Sequence, residues 1–101
     1  MQRFRQLNDQ EEEILNKMVR RGKAEPFKRP DSVSYTEQGV GGDGHPIFTI
    51  CCVLYDSSTM ETAVAVAKRC TYAGSKRMSD AYNQKIGEAI AFRRAVRALQ
   101  I

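Results

Sequence analysis

The sequence predicts an α+β fold, a small antiparallel sheet of three to four strands packed with an N-terminal helix and a long C-terminal helix. Three observations carry this. A capped helical segment opens the chain, two β-rich runs joined by a turn fill its middle, and a long helical periodicity closes it. At 101 residues the chain is expected to form one domain, residues 1–101, with a single modest core.

The first helix is expected at Asp9–Arg21. Asn8 is a good N-cap, and Glu11, three residues on, completes a capping box. Glu11, Glu12 and Glu13 then lie where the helix dipole favours acids, Arg20 and Arg21 lie where it favours bases, and Gly22 stops the helix. Ile14, Leu15, Met18 and Val19 form a narrow apolar stripe, and the acidic run reads as ordinary surface charge. The following KAEPFKRP, with two prolines, reads as an extended connector.

Ser32–Gln38 reads as a short edge strand. After it, Gly39, Gly41 and Gly44 literally satisfy G-x-G-x-x-G, but that motif needs a strand before it and a helix after it. Here His45-Pro46 and a β-rich run follow, so a hairpin loop is expected. Ile47–Tyr55, IFTICCVLY, is the strongest strand signal and reads as buried on both faces. DSSTM supplies a turn, and Thr62–Cys70 returns as an antiparallel partner. Ala63, Ala65 and Ala67 on one face of it imply that a helix packs closely there.

TYAGSKRMSD is a polar connection, and Ser79 or Asp80 is expected to cap a second helix over Asp80–Leu99. On its wheel Tyr82, Ile86, Ala89 and Ile90 share a face, with Phe92, Val96 and Leu99 along the edge. Arg93 falls in the middle of that face and Arg97 close to it, with Arg94 to the side. A buried guanidinium requires acceptors. Either the two arginines reach solvent and complement the carboxyl end of the helix, or, one turn apart, they line a pocket for a phosphate-bearing ligand. Gly87, Ala91, Ala95 and Ala98 make the opposite surface small enough for another backbone to approach. That surface packs either on the chain's own sheet or on a second subunit. The second choice implies a homo-oligomer formed through the C-terminal helix, with a ligand pocket near the interface.

Composition narrows the function classes. The formal charge of +4 favours anionic partners without choosing among nucleotides, nucleic acid and acidic protein surfaces. The three cysteines include the adjacent pair Cys51 and Cys52, whose side chains leave opposite sheet faces, and no C-x-x-C occurs. With His45 the lone histidine, neither a disulfide framework nor a metal site is expected. The start MQRFRQLNDQ has no apolar signal region, and no segment reaches the roughly 20 apolar residues that cross a bilayer. A reduced, cytoplasmic protein with no membrane contact is expected. A catalytic triad, paired acid–base carboxylates, a P-loop and a metal-binding acidic cluster are all lacking, so the expectation is binding without catalysis and without a cofactor.

The C-terminal third, AVAVAKRC, a polar loop, then D-x-Y-x-x-K-I-G-x-x-I-A-x-x-R-A from Asp80 through Ala95, resembles small phage-encoded proteins of the Thoeris anti-defence sponge type. The resemblance implies an oligomeric, non-enzymatic trap in the host cytoplasm for cyclic nucleotide or ADP-ribose-type immune signals. It points to Tyr82 and to Arg94, which holds the R-A position, with Arg93 and Arg97 beside it. Lys76 and Arg77, in the basic GSKRMS that precedes the helix, join the candidate ligand-binding residues, and Tyr72 or Tyr82 would stack a base. A small nucleic-acid-binding protein, using Lys68, Arg69, Lys76, Arg77, Arg93, Arg94 and Arg97 as one basic surface, is the alternative. A phage inhibitor that binds a host protein directly is a further one.

Overall fold

The structure is a computed structural model that describes residues 3–21, 29–42, 44–56, 61–69 and 83–99. Six elements follow in the order β1 (Arg5–Gln6), α1 (Asp9–Arg21), β2 (Ser32–Gln38), β3 (Phe48–Asp56), β4 (Glu61–Lys68) and α2 (Gln84–Leu99). The four strands form one antiparallel sheet in the order β1-β2-β3-β4. The expected α+β architecture is therefore what the chain adopts. The two-residue strand β1 had no signal in the sequence, and its pairing with Ser32 and Val33 makes β2 an inner strand at that end instead of an edge.

Helix α1 begins as the capping box requires. The Glu11 amide donates to Asn8 Oδ1 at 2.9 Å, and the Asn8 amide donates to Glu11 Oε1 at 2.9 Å. Glu11 itself departs from the expectation of a surface acid, being only 2% exposed. Three and four residues before Ile14 and Leu15, it shares their inward face. There it holds Arg5 through two oxygens at 2.8 and 2.9 Å and accepts from the Tyr35 hydroxyl at 2.5 Å. One carboxylate thus joins β1, α1 and β2, and Arg5 adds a cation–π contact 5.5 Å above the Tyr35 ring.

Register divides the sheet into two faces. Val33, Tyr35, Thr49, Cys51, Val53, Ala63, Ala65 and Ala67 share the face beneath the helices. The core there consists of Ile14, Leu15, Val33, Cys51, Val53, Ala63, Ala67, Ala91, Phe92, Ala95 and Val96. The central strand carries Cys52 and Leu54 on its other face, and both are buried too, as the continuous apolar run predicted. Between β2 and β3 the glycine-rich stretch is a hairpin loop, with positive φ at Gly39 and Gly44 and a strand on either side, so it is no phosphate-binding turn.

Helix α2 lies over β3 and β4 with its small-residue side down: Ala91 and Ala95 are fully buried beside Phe92 and Val96. At Gly87 the approach is tight, since a Cβ there would stand 2.7 Å from Thr49 Oγ1. Of the two alternatives for the Gly87, Ala91, Ala95 and Ala98 face, the chain's own sheet rather than a second subunit occupies the part formed by Gly87, Ala91 and Ala95, while Ala98 is exposed. Alanines on β4 face alanines on α2, and small-on-small packing brings the two backbones together. The helix starts at Gln84 with Asn83 as cap, its side-chain oxygen accepting from the Ile86 amide at 3.1 Å. The proposed caps Ser79 and Asp80 lie outside the described residues.

Burial, reinforced by the nearby Glu11 carboxylate, pushes the Cys51 thiol up to about 12 from an ordinary value near 9. Burial and the hydrogen bond to Glu11 likewise raise the Tyr35 phenol. Both groups are held neutral in the fold, so their contribution to stability is complete below their unfolded pKa values and is lost as pH rises through the folded ones. The urea midpoint is expected to fall between pH 9 and 12, with a shallower fall in Cys51→Ala. Identical alkaline profiles for the two proteins would refute this.

Candidate functional site

The arginines of α2 are where the structure departs furthest from the wheel. With Ala91, Phe92, Ala95 and Val96 buried, the side of the helix that carries Arg93 and Arg97 is the outward one. Arg93, Arg94 and Arg97 are all exposed. Among the described residues no enclosed pocket surrounds Arg93 and Arg97, as in the alternative in which they reach solvent. Ile86 and Ile90 share the outward side and are 57% and 40% exposed.

Each cation then has a distinct setting. Arg94 reaches β4, the strand at one edge of the sheet, and donates from Nη1 to the Val66 carbonyl at 2.9 Å, which covers one acceptor on that edge. Arg93 and Arg97 form no ion pair or hydrogen bond with any other described residue. Arg97 lies in the last turn of α2, where the helix dipole favours it. Lys68 belongs to the sheet face away from the helices, with its ammonium 6.0 Å from the Phe48 ring centroid. The Arg69 guanidinium donates to the Pro46 carbonyl at 3.1 Å and to the His45 carbonyl at 3.1 Å, and its amide donates to the Ile47 carbonyl at 2.8 Å. Arg69 thereby clamps the glycine-rich loop to the end of β4. Tyr72, Lys76, Arg77 and Tyr82 lie outside the described residues.

Two clefts flank the start of α2. One, of about 380 Å³, separates its first two turns from the loop end of β3 and β4. Pro46, Ile47 and Ala67 stand on one side and Ile86 and Ile90 on the other, with Gly87 against Thr49 between them and Asn83 and Arg69 also lining it. The other, of about 580 Å³, lies between the first turns of both helices and carries the carboxylates of Asp9, Glu13 and Glu88. Three carboxylates against one lysine, Lys85, disfavour phosphates in the second, whereas Lys68 and Arg69 among the lining of the first make it compatible with them.

The first cleft was missed in the sequence. Its residues come from three separate segments, and only the excess of aliphatic residues on two sides of α2 hinted at it. Among the described residues no cluster of histidine, cysteine and acidic side chains could hold a metal ion, and no helix is long and apolar enough to cross a membrane. Comparison with protein-family models, curated proteins and solved structures returned no match. Fold and site together define a class only, that of a single-sheet α+β chain with both helices on one face and an arginine-bearing helix side turned to solvent.

Proposed function

We propose that the chain is a non-enzymatic binding protein for a phosphate-bearing ligand of the nucleotide class, gripped by Arg93, Arg94 and Arg97. The observation that carries this reading is the grouping of three exposed guanidinium groups on adjacent turns of one helix, two of them without a partner among the described residues. Guanidinium forks match phosphate oxygens and keep their charge at any physiological pH. This fits the sequestering role that the resemblance to phage sponges implies, with a cyclic nucleotide or ADP-ribose-type signal trapped in the host cytoplasm. Such a trap acts as a monomer or through a surface other than the alanine-rich face of α2.

Titration calorimetry with a panel of cyclic nucleotides and ADP-ribose isomers tests the reading, together with native mass spectrometry for a co-purified ligand. Arg93→Ala/Arg97→Ala is expected to abolish binding. As both side chains are exposed, stability should change by no more than about 0.5 kcal/mol. Absence of both heat and ligand would refute the proposal.

The openness of the arginine side favours one second reading, an extended polyanion such as DNA or RNA. Three phosphate contacts predict a fall in affinity of roughly 40-fold between 50 and 200 mM salt. A flat salt profile would exclude it.

A further inference from the structure

We propose that the cleft between the first turns of α2 and the loop end of β3 and β4 seats the heterocycle of that ligand, while its phosphates reach the arginines. This rests on the nucleotide reading above and adds to it the place and chemistry of the second half of the site. The cleft volume of about 380 Å³ lies within the range of small-molecule sites, which are mostly apolar with a few polar groups that orient the guest. Ile86 and Ile90, 57% and 40% exposed, present aliphatic surface to water on one side. Pro46 and Ile47 face them across the gap. A flat ring between these walls would remove apolar surface from water on both of its faces.

Two features hold the cleft open and shaped. Gly87 brings α2 against Thr49, where a Cβ would stand 2.7 Å from Thr49 Oγ1, while Ile86 and Ile90, one residue before it and three after, stay exposed on the outward side of the helix. Opposite, Arg69 fixes the loop wall through the carbonyls of His45 and Pro46. Asn83, exposed and lining the cleft, supplies a polar group for a heterocycle edge.

The direction of the helix connects the two halves. Arg93 and Arg94 follow Ile90 by three and four residues, so they lie on the next turn, roughly 4.5–6 Å along the axis. A phosphate ester whose ring lies against Ile86 and Ile90 therefore carries its charge toward guanidinium donors. The acidic cleft offers no such continuity, because its lining sets Asp9, Glu13 and Glu88 against the single cation Lys85.

Calorimetry on the full chain with ADP, adenosine and inorganic pyrophosphate is the test. ADP is expected to bind at least about tenfold more tightly than either fragment. Ile86→Ser/Ile90→Ser alters half-exposed side chains and should leave the circular dichroism spectrum intact while lowering the melting temperature by about 10 °C at most. In that variant ADP is expected to weaken to the level of pyrophosphate, with pyrophosphate itself unchanged. If ADP binding survives the isoleucine changes but is lost in Arg93→Ala/Arg97→Ala, the cleft assignment is wrong and the phosphate reading stands. If none of the three compounds binds, the cleft assignment falls, and the nucleotide-class reading falls with it only when the cyclic nucleotide and ADP-ribose panel also gives no heat.

Discussion

Ala91→Glu is expected to unfold the chain, not to separate subunits. Ala91 is fully buried in the core beneath α2, within a cluster that includes Ala63, Ala67 and Ala95. A glutamate there must either drive the helix off the sheet or place an unpaired carboxylate in an apolar interior, at a cost of several kcal/mol. Domains of this size hold only about 5–15 kcal/mol in reserve, and each kcal/mol is worth about 4–8 °C of melting temperature. The expected result is loss of the cooperative thermal transition, or a midpoint lowered by about 20 °C or more. Ala98→Glu, on an exposed position of the same helix, is the control and should melt like the parent. A folded Ala91→Glu protein with an altered elution volume would mean that the small-residue face does meet another subunit.

Glu11→Ala is expected to be the second most damaging change. It deletes the acceptor for Arg5, for the Tyr35 hydroxyl and for the Asn8 amide together. Arg5 is 44% exposed and can turn to water, so the ion pair alone is worth little. Tyr35 is partly buried against the core and its hydroxyl is harder to rehydrate, and the capping box that starts α1 is lost with the carboxylate. A loss of about 2–4 kcal/mol is expected by urea unfolding. Glu12→Ala, whose carboxylate pairs with Arg29 at 2.6 Å in a half-exposed setting, should cost less than about 1 kcal/mol. Equal losses from the two substitutions would contradict the central place given to Glu11.

Much of this fold is written locally. The Asn8–Glu11 box and the charge order of α1 set that helix at Asp9–Arg21, because capping and dipole interactions act within a few residues. The apolar run of β3 announces a strand covered on both faces, and the alanines of β4 announce the close approach of a helix. The inward role of Glu11 was legible in principle from its spacing to Ile14 and Leu15, but three consecutive glutamates look alike until one of them meets a partner. That partner, Arg5, lies on a two-residue strand too short to show any alternation.

The candidate site was legible only in its parts. The sequence marks Arg93, Arg94 and Arg97 as grouped, and Ile86 and Ile90 as sharing a side with them. It does not say which side of α2 meets the sheet, since the helix carries one alanine-rich face and one isoleucine-bearing face. Periodicity measures the angle between residues and leaves the phase of the whole helix free.

What the sequence determines by itself is therefore the element order from α1 onward, the capped start of α1, the doubly covered central strand and the pairing of β3 with β4. Each of these depends on neighbours along the chain or on alternation within one strand. Only the tertiary structure decides that the alanines of α2 face inward, so that its isoleucines and arginines face out beside the cleft. The physical reason is complementarity between distant segments. Ala63 and Ala67 on β4 leave a depth that Ala91 and Ala95 fill, and rotating α2 to bury Ile86, Ile90 and Arg93 instead would bring bulk and charge against that shallow surface.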